Sequence, residues 1–206
     1  MRRLSPWILA TAFILLAPHA HAETPALHIT RAQFQLYRDY QDALTDPRVQ
    51  KIKPSERLHA IARNFHVKPH DLQAAITAGE QEAEQVQAAE IASIKSAFDG
   101  TPLQGKLGDV RVDTTKGHII AYVEWLNADP SKLEQEACWA AARASKAAPL
   151  VGTFDLYAQD AAEKQKRVFS ALIDADRAEN IREDQIIDFA STRYIRLFEK
   201  RESASR

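Results

Sequence analysis

Seven histidines, one cysteine and one glycine-lysine pair are the residues of this 206-residue chain whose types and spacing suggest chemistry. His66 and His70 stand four apart, the spacing at which two imidazoles on one helix face reach a common ion. Pro69 lies between them and pushes Lys68 out of the helical backbone region, so the two rings fall on different elements. Even with His59 nearby, no metal is expected. Gly100, four residues, then Gly105-Lys106 matches the opening of a phosphate-binding loop. The residue that should carry a magnesium-binding hydroxyl is Leu107, and the segment leaves a helix to enter a strand, the reverse of what a phosphate-cradling helix N-terminus needs. No nucleotide and no other cofactor is expected.

Cys138 lies in Glu136-Ala137-Cys138-Trp139-Ala140-Ala141-Ala142 and has no intramolecular disulfide partner. No cationic residue within one helical turn on both sides lowers its pKa, so it reads as a buried small apolar residue. Asp174 and Asp176 read as helix caps rather than as an acid-base pair. Arg193 and Arg196 suit an anionic ligand, or else pair with Asp184, Asp188 or Glu199. Tyr37 and Tyr40 sit at helical spacing and read as core. Tyr122, Trp125 and Tyr157 remain as a candidate ligand or partner surface on a strand face. The chain has no Gly-x-Ser-x-Gly elbow, no His-Glu-x-x-His, no Cys-x-x-Cys, no dinucleotide glycine fingerprint and no calcium loop. No residue is assigned a catalytic role, and the balance points away from an enzyme.

The elements that must position these residues change period along the chain. Thr30-Arg31-Ala32-Gln33 has capping-box form and opens a helix with Phe34, Leu36, Tyr37, Tyr40, Ala43 and Leu44 on its apolar stripe, stopped by Asp46-Pro47. Leu58 to Val67 and Leu72 to Ile76 predict two short helices joined by a turn, followed by a separate polar helix over 79–98. Asp99 to Gly108 holds three of the six glycines and predicts a linker. Beyond it the period becomes alternating. Val110 and Val112 face away from Asp109 and Arg111, and Ala121, Val123 and Trp125 face away from Tyr122 and Glu124, with a hairpin turn at 114–117 in which Gly117 takes positive φ. Asp129 or Ser131 caps an alanine-rich helix over 131–147. Residues around 151–158 and 168–173 predict two more strands, and 184–199 either a helix or a terminal strand. The expected fold is α+β: an N-terminal helical region, 23–98, a linker, 99–108, and an α+β sandwich, 109–206, built on a four-stranded antiparallel sheet of two hairpins covered by helices.

The Leu58-His59-Ala60-Ile61-Ala62-Arg63-Asn64-Phe65-His66-Val67 run with Leu72 and Ile76 resembles both the helix-turn-helix of DNA-binding proteins and the central helix pair of LysM modules. The second resemblance implies cell-wall glycan binding through the 58–76 hairpin. Lys53-Pro54-Ser55-Glu56-Arg57 stands where a LysM module has its glycine turn. The first resemblance lacks a basic second helix, since Asp71-Leu72-Gln73-Ala74-Ala75 has no arginine or lysine for phosphates.

Met1-Arg2-Arg3, the apolar run from Trp7 to Ala17 and the small residues of Ala20-His21-Ala22 have the form of a secretory signal peptide, with cleavage after Ala22. The apolar run falls short of the roughly 20 residues a membrane span needs. Removing 1–22 takes away Arg2 and Arg3 and no acid, which moves the net charge from −1 to −3. This balance offers nucleic acid no basic field. The sequence therefore predicts an exported, soluble, non-catalytic accessory or interaction protein of the cell envelope, periplasmic or secreted, whose partner is an envelope protein or cell-wall component. Two alternatives accompany it: the glycan-binding hairpin, and a hydrolase or small-ligand carrier that uses the sheet face.

Overall fold

The computed structural model describes residues 27–115, 117–163, 166–186 and 191–203. Residues 1–22, which the sequence reads as a signal peptide, therefore lie outside the described residues. The chain opens with α1 (Arg31–Thr45), whose capping box is present as the sequence predicts: the Gln33 amide N–H donates to the Thr30 hydroxyl, and the Gln33 side chain accepts from the Thr30 N–H. Asp46 ends α1 and caps the single turn α2 (Pro47–Gln50). Helix α3 (Pro54–Asn64) follows, then α4 (Pro69–Ala97). His66 makes the turn between them at φ 57, and Val67 N–H reaches back to Ala62 O at 3.0 Å, the left-handed closure of a helix end.

Helix α4 is one element of 29 residues, where the sequence predicts a break at Gly79. Gly79 is buried mid-helix because the Tyr37 ring of α1 lies against it; a Cβ there would stand 2.1 Å from Tyr37 Cγ. The glycine marks a close crossing of two helices. At 1.5 Å per residue α4 is about 44 Å long, enough to serve two clusters. Its first half, with Leu72 and Ile76, joins Ile61 and Ala62 in a small helical cluster, against which Leu36, Tyr40, Ala43, Leu44 and Val49 pack. Its second half, with Val86, Ala89 and Ile94, lies against the sheet side of the molecule. Helices therefore flank the 58–76 hairpin where a LysM module has strands.

The strands are β1 (Leu107–Asp113), β2 (Ile120–Asn127), β3 (Thr153–Asp160), β4 (Arg167–Asp174) and β5 (Lys200–Ser203). Between β2 and β3 runs α5 (Leu133–Ala147), after a 3-10 turn at Pro130–Lys132 that Asp129 caps. After β4 come the short α6 (Ala175–Ala178), a 3-10 turn at Glu183–Gln185, α7 (Ser191–Tyr194) and a 3-10 turn at Ile195–Leu197. The α+β class stands, with two corrections to the sheet. Its order is β1-β2-β3-β4-β5, so it has a fifth strand, and β2 pairs with β3 in parallel while the other neighbours are antiparallel. The physical reason is α5, which carries the chain back along the length of the sheet, so β3 starts at the same end as β2. Within 184–199 the described residues form short helical turns, with a strand later, at Lys200–Ser203, while 187–190 lie outside the described residues.

One face of the sheet is dry. Val110, Val112, Ala121, Val123, Trp125, Phe154, Leu156, Ala158, Phe169, Ala171 and Ile173 are all buried, with Trp125 tilted on Phe169 at a centroid distance of 6.1 Å. Helix α5 lays Ala137, Cys138, Ala140, Ala141 and Ala144 toward this core, small side chains that permit close helix-sheet approach. Ile29, Phe34, Val86, Ile94 and Phe98 from the helical region belong to the same cluster. The expected linker is likewise part of it: Leu103 is buried and Thr101 nearly so, while Gly100 and Gly105 supply the positive φ values of 72 and 75 that its turns require. The 99–108 segment thus joins two parts of one continuous core. Among the described residues no helix is long and apolar enough to cross a membrane.

Candidate functional site

Among the described residues the opposite face of the sheet is largely half-buried or exposed, and its register brings the outward residues into rows. Arg111 pairs across to Tyr122, Tyr122 to Asp155 and Asp155 to Leu172; Glu124 pairs to Tyr157 and Tyr157 to Ser170. Two of the three candidate surface residues, Tyr122 and Tyr157, sit on this face. The third, Trp125, points the other way into the core and is fully buried, because alternation along β2 separates it from Tyr122 by an odd number of residues.

Tyr157 is the centre of the arrangement. The Arg167 guanidinium stacks over its ring at 4.6 Å, and Arg111 Nη2 donates to its hydroxyl oxygen at 3.3 Å. Arg111 also lies over the Tyr122 ring at 5.5 Å and pairs through Nε with Asp109 at 3.0 Å. The Tyr157 oxygen and the Asp109 charge beside it hold the Arg111 guanidinium above its usual pKa. Gln159 Nε2 donates to Glu124 Oε2 at 2.8 Å along the same strands. Tyr157 is only 6% exposed beneath these two groups, so what the face presents is the exposed Arg111 and Arg167 guanidinium planes, the half-buried Tyr122 ring and carboxylates at the margin. Arg167 makes no ion pair among the described residues.

Several residues with chemical promise turn out to hold the fold. Lys106, the lysine of the phosphate-loop likeness, donates through Nζ to Glu136 Oε1 at 2.7 Å. Glu136 Oε2 accepts from Trp125 Nε1 at 2.9 Å and Asn127 Nδ2 at 2.8 Å, so one buried carboxylate ties the 99–108 segment, β2 and α5 together. Cys138 is buried in α5, and burial pushes its thiol up to about 12, with the Glu134 charge adding to the effect. A thiol held there is unreactive at neutral pH. His59, His66 and His70 are exposed, and His70 Nε2 lies 3.0 Å from Asp71 Oδ1. Among the described residues no group of three or more His, Cys, Asp or Glu has the geometry to hold a metal ion. Asp174 precedes α6 without capping it through its side chain, and Asp176 accepts from Arg31 Nη1 at 3.0 Å.

Two arrangements escaped sequence reasoning. His118 Nε2 lies 2.7 Å from Thr153 Oγ1, whose hydroxyl donates to Asp174 Oδ1 at 3.0 Å. The backbone N–H groups of Gly152 and Thr153 both donate to Ile119 O, so neither of these two is free to stabilise an oxyanion beside this hydroxyl. The second is Glu90, on the buried side of α4, with Oε2 unpartnered. Burial raises its carboxyl to about 7 against the pull of the Leu150 N–H and the Arg31 charge. Its place among Ala88, Ala89, Ile91 and Ala92 offered the one signal, an acid inside an apolar stretch. Compared with protein-family models, with curated proteins and with solved structures, the chain matches none.

Proposed function

We propose that this chain is an exported, non-catalytic interaction protein of the cell envelope that docks a protein partner on the open face of its sheet. The observation that carries this reading is Tyr157 between Arg111 and Arg167, on a sheet whose other face is fully buried. Arginine is among the residues most often found at the energetic centres of protein interfaces, and here the buried Tyr157 ring and hydroxyl hold two exposed guanidinium planes in place. Arg167, stacked and free of any described ion pair, offers its outer N–H groups to a partner carboxylate. The export part of the proposal rests on Met1-Arg2-Arg3, the Trp7 to Ala17 run and Ala20-His21-Ala22.

The experiment is a crosslinking pull-down from envelope extract with the wild-type chain and the Arg111→Glu/Arg167→Glu double variant. Both substituted side chains are exposed, so the variant should stay folded by circular dichroism while losing a partner that the wild type captures. Capture of the same partner by both proteins would sink the assignment of the face. Mass spectrometry of the protein recovered from the envelope fraction should find Glu23 at its N-terminus; an intact Met1-Arg2-Arg3 terminus on cytoplasmic protein would overturn the export reading.

A further inference from the structure

The C-terminal turns enclose a different kind of surface. Between the end of α6, the 3-10 turn at Glu183–Gln185 and α7 lies a cavity of about 500 Å3 lined by Asn180, Arg182, Gln185, Arg193, Tyr194 and Leu197. Among the described residues, both charged lining residues are arginines. Arg182 meets Asp184 through Nε and Nη2, at 3.4 and 3.0 Å, which leaves the N–H groups of its other terminal nitrogen to donate. Arg193 is exposed and makes no ion pair among the described residues. The Tyr194 hydroxyl donates to Gln185 Oε1 at 2.7 Å, which fixes the amide and keeps Gln185 Nε2 as a donor. Tyr194 is 7% exposed and, with Leu197, gives the cavity an apolar wall.

Among the described lining residues, two guanidinium groups and an oriented amide face the space and no carboxylate does. Arginine forks match the paired oxygens of carboxylate and phosphate, and charge-assisted donors of this kind are the strong ones. The volume falls within the range of small-molecule sites, roughly 300 to 1,000 Å3, which exceeds what a bare inorganic ion fills. We infer that this cavity binds a small organic anion, a carboxylate or phosphate monoester whose ring or short apolar body rests on Tyr194 and Leu197. Arg193 and Arg182 hold the anionic head, and Gln185 Nε2 sets its orientation. Of the two arginines that stand out near the end of the chain, Arg193 belongs to the site; Arg196 does not line it, and the second guanidinium comes from Arg182, eleven positions earlier. The site is remote from the Tyr157 face in sequence and lining, so its test is independent of the docking proposal.

Isothermal titration of the full chain with phenyl phosphate, benzoate and inorganic phosphate, at constant ionic strength, tests the inference. At least one of the two organic anions should bind saturably and raise the melting temperature, and the tighter of the two identifies the head group. Arg193→Gln should weaken that binding roughly tenfold or more, the scale of losing one charge-assisted pair, with the melting temperature of the free protein unchanged; Arg193→Lys should recover part of the affinity. Absence of binding by both organic anions would overturn the site, as would equal binding by Arg193→Gln and wild type. Inorganic phosphate binding as tightly as phenyl phosphate would overturn the role of the apolar wall.

Discussion

Glu90 makes the stability of this protein depend on pH in a direction opposite to that of most acids. Its side chain is 3% exposed on α4, and its Oε2 has no hydrogen-bond partner. The groups that face it are the Leu150 N–H from the segment after α5 and the Arg31 guanidinium from α1. Arg31 is itself drawn away, by Asp176 at 3.0 Å, Glu179 at 3.6 Å and Pro149 O at 3.0 Å. Burial therefore wins, and the folded-state carboxyl rises from 4.5 to about 7. Well below pH 4.5 the group is protonated in the folded and the unfolded chain alike, and the full stabilising contribution is present. As pH rises toward 7 the unfolded chain releases a proton that the folded chain retains, so folding stability falls through this window and stays low above it. The rise corresponds to roughly 3 kcal/mol, at about 1.4 kcal/mol per pH unit. Glu90→Gln imitates the protonated acid, since its carbonyl still accepts from Leu150 and its NH2 stands where the O–H would. Urea unfolding of both proteins at intervals from pH 4.5 to 8.5 is the assay. The difference curve, which cancels the other titrating groups, should already slope at pH 4.5, climb most steeply between pH 5 and 7, level off above it, and leave the variant more stable by up to about 3 kcal/mol at pH 8. Parallel stability curves across the whole range would refute the reasoning.

The other expectations concern packing and the buried network. At Gly79, an alanine gains up to about 1 kcal/mol of helix propensity but drives its methyl into the Tyr37 ring. Gly79→Ala should therefore lower the melting temperature of the wild type and raise that of Tyr37→Ala, and equal effects in both backgrounds would contradict the helix crossing. Glu136→Ala leaves Trp125 Nε1, Asn127 Nδ2 and Lys106 Nζ without their acceptor, and chemical denaturation should show a loss of about 3 to 5 kcal/mol, against a smaller one for Lys106→Met, whose ammonium is partly exposed. Gly117→Val should destabilise by about 1 to 3 kcal/mol, the scale of overpacking, because a Cβ at Gly117 meets Asp39 Oδ1 at 3.0 Å and the Gln35 backbone oxygen at 3.1 Å. A thermal melt equal to wild type would show that α1 does not press on this loop.

Gly117 shows where sequence reasoning had the right residue for the wrong cause. The hairpin turn suggested a positive φ, yet among the described glycines only Gly100 and Gly105 have one. The need for glycine at 117 comes from α1, some eighty residues earlier, through Arg38 Nη2 on Thr115 O and the close approach of Gln35 and Asp39. Gly79 teaches the same lesson in a helix. Read locally it is a break; in the fold it is the space that Tyr37 occupies, so α4 runs through it.

Elsewhere, local and periodic information was legible. The Thr30 capping box, the Asp46-Pro47 stop, the alternation along β1 and β2 and the small-residue face of α5 each depend on neighbours within a few positions, and each formed as the residues dictate. Long-range placement was not. Trp125 and Tyr122 are both aromatic strand residues, and only the side that α4 and α5 cover decides that one is core and the other surface. The pairing of Tyr157 with Arg111 and Arg167 depends on the parallel β2-β3 register, and the meeting of Arg182 with Arg193 on the path of the C-terminal turns. Composition and spacing determine which elements form, because their energies are set by adjacent residues; which side chains share a surface or a cavity is set by contacts between segments far apart in the chain, and those exist only once the whole core has closed.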